Sequence, residues 1–345
     1  MKKFELGITT FAEVLENPKT HQKVSYDKRI RQVVEEIKLA DELGIDFYGV
    51  GEHHREEYAA SAPHMILAAA APITKHIKLS SAVTVLSSDD PVRVYQNYAT
   101  LNALSNGRTE LMVGRGSFIE SFPLFGYELS DYHELFSEKL DLLLSIRDQE
   151  KVNFKGKHRA PIHNLNIYPR TNELTISVAV GGTPESVIRA ARYGLPLFLA
   201  IIGGNPLMFK GLIDVYKKEY LASGHDQEKM FISVHSHGYV AKTFEEAYDT
   251  YYPSMEQAMN LIGKERGWSK YTKQTYDKAI DMNGALYVGD PKYVAKKIIN
   301  LKEALGINRF ALHVPVGYLD HDLVMKSIEL YGTEVKKIIE KSYIK

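Results

Sequence analysis

The stretch TISVAVGGTPESVIRAARYGLPLFLAII, residues 175–202, decides the fold. An apolar run of strand character, 175–180, meets two glycines, Gly181 and Gly182, and then Thr183, Pro184 and Ser186 open a helical pattern. Thr183 stands at an N-cap and Pro184 at the first helical position, where a missing N–H costs nothing. Gly194 stops the helix, and a second apolar run, 197–202, follows at once. Strand, helix and strand in about thirty residues is the unit of a parallel sheet.

Working outward, the same unit recurs. Strand patterns are expected at 4–9, 46–51, 77–83, 109–114, 175–180, 197–202, 231–240 and 307–313, each followed by a helical pattern. In the first helix Ile30, Val33, Val34, Ile37, Ala40 and Leu43 recur at three- and four-residue steps, and Gly44 ends it. Near the C-terminus Asp290 and Pro291 start a helix striped by Val294, Ile298, Leu301 and Leu305 that stops at Gly306. Asp90–Pro91 is another helix start, and the SNGR turn precedes the fourth strand. Eight βα units with no linker predict an α/β chain folded as one (β/α)8 TIM barrel over 1–345. Two stretches exceed ordinary barrel loops, 116–170 after strand 4 and 243–287 between strands 7 and 8. Loops leaving the C-terminal ends of barrel strands build active sites, so these insertions are expected to shape a substrate pocket or a subunit contact.

Composition narrows the partners. Among 345 residues, 43 Lys and Arg balance 43 Asp and Glu, and 44% are hydrophobic. No basic, aromatic-interleaved track offers itself to nucleic acid. There is no cysteine, which removes disulfides, thiolate metal clusters and a cysteine nucleophile. The opening MKKFELGITTF is too short in apolar residues for a signal segment or membrane span, so a cytoplasmic protein without membrane contact is expected.

Three places can carry chemistry. At the end of strand 2, Glu52, His53 and His54 reach the barrel mouth, and an ordinary imidazole exchanges protons near neutrality. Alternation along a strand sends the two histidines to opposite sides. Catalysis and ordinary packing are both open readings of this trio, as is a metal pair of His53 and His54, although no HExxH spacing supports a metal. The second place is GGTPES, where Gly181 and Gly182 free the backbone to approach an anion and the helix dipole attracts it. A well-capped helix explains those residues equally. The third is Arg115, set between glycines at the end of strand 4 and suited to bidentate phosphate binding. Its coincidence with GGTPES on the next strand favours a phosphate-bearing ligand. Small residues Ser80, Ser81 and Ala82 leave room for a flat ring against strand 3.

Taken in order, EHH after strand 2, SSAVTVL with DDPVRVYQNYATLNALSNGR, VGRGSF, GGTPESVIRAARYGLPLFLAIIGG and the C-terminal LYVGDPKYVAKKIINLKEALGINRFALHV resemble the bacterial luciferase-like monooxygenase family over nearly the whole chain. The resemblance implies a barrel that binds FMN, supplied reduced by a separate flavin reductase, or less commonly F420, with O2 as co-substrate. It implies phosphate binding by Arg115, Gly181, Gly182, Thr183 and Ser186. It also places the flavin ring against Ser81, Ala82 and Val83, with a non-proline cis peptide at Ala82–Val83. In the luciferases the first histidine of EHH serves in acid/base chemistry, which carries over to His53, with Glu52 and His54 in support. A homodimer is implied as well. Two departures stand out: Gly114 replaces the luciferases' reactive cysteine, and EVKKIIEK lacks the closing proline of the last helix. The expected function is FMN-dependent oxygenation of a small organic substrate. Alternatives are hydride transfer with F420, flavin binding without turnover, and metal-dependent hydrolysis by His53 and His54.

Overall fold

The computed structural model describes residues 3–116, 118–171 and 173–343. Ser117 of the VGRGSF motif and the first two residues of the chain lie outside them. The strands, in order, are β1 (Glu5–Thr10), β2 (Phe47–Val50), β3 (Lys78–Ser81), β4 (Thr84–Val85), β5 (Thr109–Gly114), β6 (Lys151–Phe154), β7 (Ile162–Asn166), β8 (Thr175–Val180), β9 (Leu197–Ala200), β10 (Ile232–Val240), β11 (Tyr287–Gly289) and β12 (Arg309–His313). The helices are α1 (Tyr26–Glu42), α2 (Pro63–Ala70), α3 (Pro91–Leu104), α4 (Ser121–Leu124), α5 (Tyr132–Asp148), α6 (Pro184–Arg192), α7 (Lys210–Ala222), α8 (Phe244–Arg266), α9 (Lys273–Ile280), α10 (Pro291–Leu305), α11 (His321–Leu330) and α12 (Lys336–Ser342).

Eight parallel strands close on themselves in the order β1, β2, β3, β5, β8, β9, β10, β12, with Glu5 opposite Arg309 at the seam. This is the expected (β/α)8 TIM barrel. Residues alternate between two faces. Leu6, Ile8, Tyr48, Val50, Leu111 and Val113 face the helices in the main core, whereas Phe47, Ala82, Met112, Phe198 and Ala311 form a separate cluster inside the barrel. Arg309 closes the bottom, donating to Glu5 at 2.8 Å and Glu110 at 2.8 Å.

Local signals hold the helices where the sequence places them. Asp90 accepts from the Val92 and Arg93 amides at the start of α3, and Asp290 from Lys292 and Tyr293 at α10. Gly306, at φ +64°, ends α10.

The insertions are more ordered than loops. The first comprises α4, an irregular turn and, beyond the barrel's own α5, an antiparallel β6–β7 hairpin. The second contains the 23-residue α8, capped by Thr243, with Tyr251, Met255 and Ala258 buried. Its polar remainder faces outward, which is why the apolar period is faint in the sequence. Strand β11 then extends the sheet from β10. Among the described residues no helix is long and apolar enough to cross a membrane.

Candidate active site

Strand β2 delivers Glu52, His53 and His54 to the mouth, and alternation separates them. His53 turns into an aromatic wall, its ring 4.4 Å from Phe11, 4.5 Å from Tyr58 and 5.1 Å from Phe118 between centroids. Burial, reinforced by His313, His54 and Arg55, pushes its pKa down to about 3. In this setting the neutral form of the His53 imidazole is favoured at pH 7. Glu52 and His54 turn the other way and bond each other at 2.8 Å, beside a small cavity lined also by His64, Asp89 and Tyr98. The second Glu52 oxygen accepts from the Val85 amide at 2.9 Å, holding the chain after β3 in place. A metal pair of His53 and His54 is incompatible with this division. The one His/carboxylate group at ligand spacing among the described residues, Asp131, Glu134 and His158, includes neither.

The strand expected at 77–83 is interrupted by a cis peptide at Ala82–Val83, where the family resemblance places one. Sequence provides the space around it. A Cβ on Gly49 would stand 2.7 Å from Ala82 Cβ, and one on Gly51 2.7 Å from the Ala82 carbonyl oxygen. At Gly114 a Cβ would meet the Val83 side chain at 2.9 Å, a physical reason for glycine at that position. Ser81 shares the segment, but its hydroxyl donates to the Met112 carbonyl at 2.8 Å and accepts from the Met112 amide at 3.1 Å. That side chain ties β3 to β5.

Across the mouth, the α6 start and Arg115 come together. Arg115 donates to Thr183 Oγ1 at 3.3 Å, approaches His133 Nδ1 at 2.9 Å and lies over the Tyr132 ring. Thr183 occupies the N-cap position, yet its hydroxyl does not cap the α6 backbone and donates instead to Ser186 Oγ at 2.8 Å. Gly182 has φ +127°, a conformation that L side chains rarely adopt, and Gly181 beside it has open space at its Cβ position. Arg189, in the last turn of α6, adds a second guanidinium. Burial and the charge of Arg115 push its pKa down, and its buried Nη1 has no hydrogen-bond partner among the described residues. Arg115 at the start of α6 and Arg189 near enough to feel its charge, with an unpaired donor on Arg189, form a site whose chemistry fits a phosphate group.

Other mouth residues escaped the sequence reading. His235 and His237 face inward from β10 beside His313 of β12, with ring centroids 5.1 to 5.9 Å apart. Burial pushes His235 well down and His237 to about 3, and nearby His313 adds to both shifts. His237 Nδ1 has no hydrogen-bond partner among the described residues. The signal was present in VHSHG, since histidines two apart on a strand share a face. Over the mouth, Arg55 pairs with Glu57, Glu120 and Glu265 and stacks on Phe118, joining the loop after β2 to both insertions.

Comparison with known proteins follows the same lines. A family model described as luciferase-like monooxygenase matches residues 4–309. An N-acetyl-S-alkylcysteine monooxygenase of Bacillus subtilis (strain 168) is 26% identical over 303 residues, 83% of this chain and 87% of that protein. The oxygenating constituent of 3,6-diketocamphane monooxygenase from Pseudomonas putida, a type II Baeyer-Villiger monooxygenase solved in complex with FMN, superposes with a TM-score of 0.78 at 21% identity, covering 98% of this chain and 99% of that one. The coenzyme F420 dependent tetrahydromethanopterin reductase from Methanopyrus kandleri gives a TM-score of 0.72 at 17% identity, covering 98% and 99%. At these identities the two structures speak for the fold.

Proposed function

The chain belongs to the luciferase-like monooxygenase family, and from that premise we propose that it is an FMN-dependent monooxygenase acting with O2 on a small organic substrate. One observation carries the reading: Arg115 at the end of β5 meets the Thr183–Ser186 helix start that follows β8, with Arg189 of α6 beside them, and β5 is also the neighbour of β3, which leads into the Ala82–Val83 segment. Arg115, Gly181, Gly182, Thr183 and Ser186 would hold the phosphate, with Arg189 beside them. Ala82 and Val83, backed by Ser81 within the sheet, would support the ring. Reduced FMN, when bound, supplies the electrons that activate oxygen. The protein's own part is to position and to exclude water. The neutral imidazoles of His53 and His237 offer hydrogen bonds to a bound substrate without adding charge. Glu52 and His54 act by bracing the backbone that carries Val85. The insertions, drawn over the mouth by Arg55, keep the site dry.

The same reading treats residues 1–345 as one domain, cytoplasmic and homodimeric, with reducing equivalents delivered by a flavin reductase. F420-dependent hydride transfer is the second reading, favoured by the structural likeness to the F420-dependent reductase. The deciding experiment supplies either reduced FMN, regenerated by a reductase, or reduced F420, and follows oxygen uptake over a panel of thioethers, ketones and aldehydes. Substrate-dependent oxygen uptake with FMN is expected. Turnover with F420 alone, without oxygen consumption, would overturn the proposal in favour of the second reading.

A further inference from the structure

A line of hydrogen bonds runs from the barrel mouth through its wall to a surface cleft. Thr9, on the inner face of β1, has one hydroxyl proton and two imidazole neighbours: His235 Nδ1 at 3.0 Å and His313 Nδ1 at 3.1 Å. The hydroxyl therefore donates to one ring and accepts from the other, which links the tautomers of His235 and His313. On its far side His313 Nε2 meets Glu13 Oε1 at 2.8 Å, with both side chains 1% exposed. Glu13 Oε2 accepts from Thr10 at 3.1 Å. Glu13 also forms part of the wall of a cleft of about 880 Å³, between α1 and the segment leading into α11, bordered by Arg29, Glu35, Tyr318 and His321.

The charges around the line are defined. Glu13 faces His313 from β12, Arg29 from α1, Tyr48 from β2, Tyr58 from the loop after β2 and Tyr251 from α8. His313 faces His53, His235 and His237, all held neutral by burial. Arg29 is committed to Glu36, so the carboxylate of Glu13 has His313 as its close ionisable partner.

We propose that Glu13, His313, Thr9 and His235 form a proton relay feeding the barrel mouth from the α1–α11 cleft. Glu13 takes a proton from cleft water and passes it to His313 Nε2. The Nδ1 proton of His313 moves to Thr9 Oγ1 as the Thr9 hydroxyl proton moves to His235 Nδ1. His235 then gives up its Nε2 proton to the mouth. One proton enters, one leaves, and the tautomers of both histidines are exchanged. The relay rests on the reading of the mouth as an oxygen-reducing site, because a reduced flavin bound as its anion would bring one of the two hydrogens of the water formed and leave one proton to be supplied to a dry, insertion-covered mouth. Glu13, Thr9 and His313 thus act by positioning and carrying protons.

The test uses the full-length chain without flavin, labelled with 15N-histidine, and long-range 1H–15N spectra recorded between pH 5 and 9. The tautomer populations of His235 and His313 are expected to change together. Thr9→Val and Glu13→Gln should abolish that linkage, and Thr9→Ser should retain it. Independent behaviour of the two rings in the wild type, or linkage that survives Thr9→Val, would overturn the relay. These spectra decide the question whether or not FMN binds. In turnover, Glu13→Gln should lower kcat roughly 100-fold with the FMN Kd unchanged, the scale of a lost acid–base group, and formate should restore Glu13→Ala through the cleft. A Glu13→Gln enzyme with wild-type kcat and pH profile would contradict the proposal.

Discussion

A histidine's environment, more than its presence, decides what it does in this barrel. His53 and His237 are held near pKa 3 by burial, against about 6.5 in an unfolded chain. Between those values the unfolded state binds protons that the folded state does not. Their contribution to stability is therefore intact above about pH 6.5 and is lost as pH falls toward 3, by up to about 1.4 kcal/mol per pH unit for each ring. Urea unfolding at pH 7 and pH 4.5 checks this. The His53→Gln/His237→Gln double variant is expected to lose roughly 2–5 kcal/mol less than wild type between the two pH values, and equal losses would refute neutral burial. Which histidines reach the mouth was only half legible. His53 announced itself in a short motif at a strand end, whereas His235, His237 and His313 sit inside apolar strands and look like packing until closure brings β10 beside β12. Arg189 was hidden for a similar reason, since a helix-interior arginine has no local sign of what faces it.

At the scale of elements, the sequence shows most clearly where secondary structure starts and stops. The caps at Asp90 and Asp290 and the stop at Gly306 stand as read. Thr183 is the instructive exception: it occupies the cap position, but Arg115 and Ser186 claim its hydroxyl. That choice depends on β5 lying beside β8, a tertiary fact. The insertions were located by length but not in form, because the regular α8 presents much polar surface outward. One cation is central to their attachment. Arg55 gathers Glu57, Glu120 and Glu265 from three segments. Replacing it by methionine removes the cation that Glu57, Glu120 and Glu265 share. Arg55→Met is expected to raise the open fraction of the insertions about five- to thirtyfold, equivalent to about 1–2 kcal/mol. Limited proteolysis at residues 116–131 and 266–272 reads this directly. Cleavage no faster than in wild type would show that the insertions are held by other contacts.

For the whole molecule, the unbroken repeat of eight βα units pointed to a closed barrel, in which every strand has two neighbours and the helices cover the outer face. The location of the site at the strands' C-terminal ends follows from that closure. What the mouth binds is the central claim, and the pairing of Arg115 with the α6 start tests it most directly. A charge-assisted pair to phosphate contributes about 1.5–3 kcal/mol, or roughly 10- to 150-fold in Kd. Anaerobic fluorescence or absorbance titration with reduced FMN should show saturable binding to the wild-type chain and a loss of that order in Arg115→Ala. Unchanged affinity in Arg115→Ala, or no FMN binding by the wild type in either redox state, would contradict the assignment.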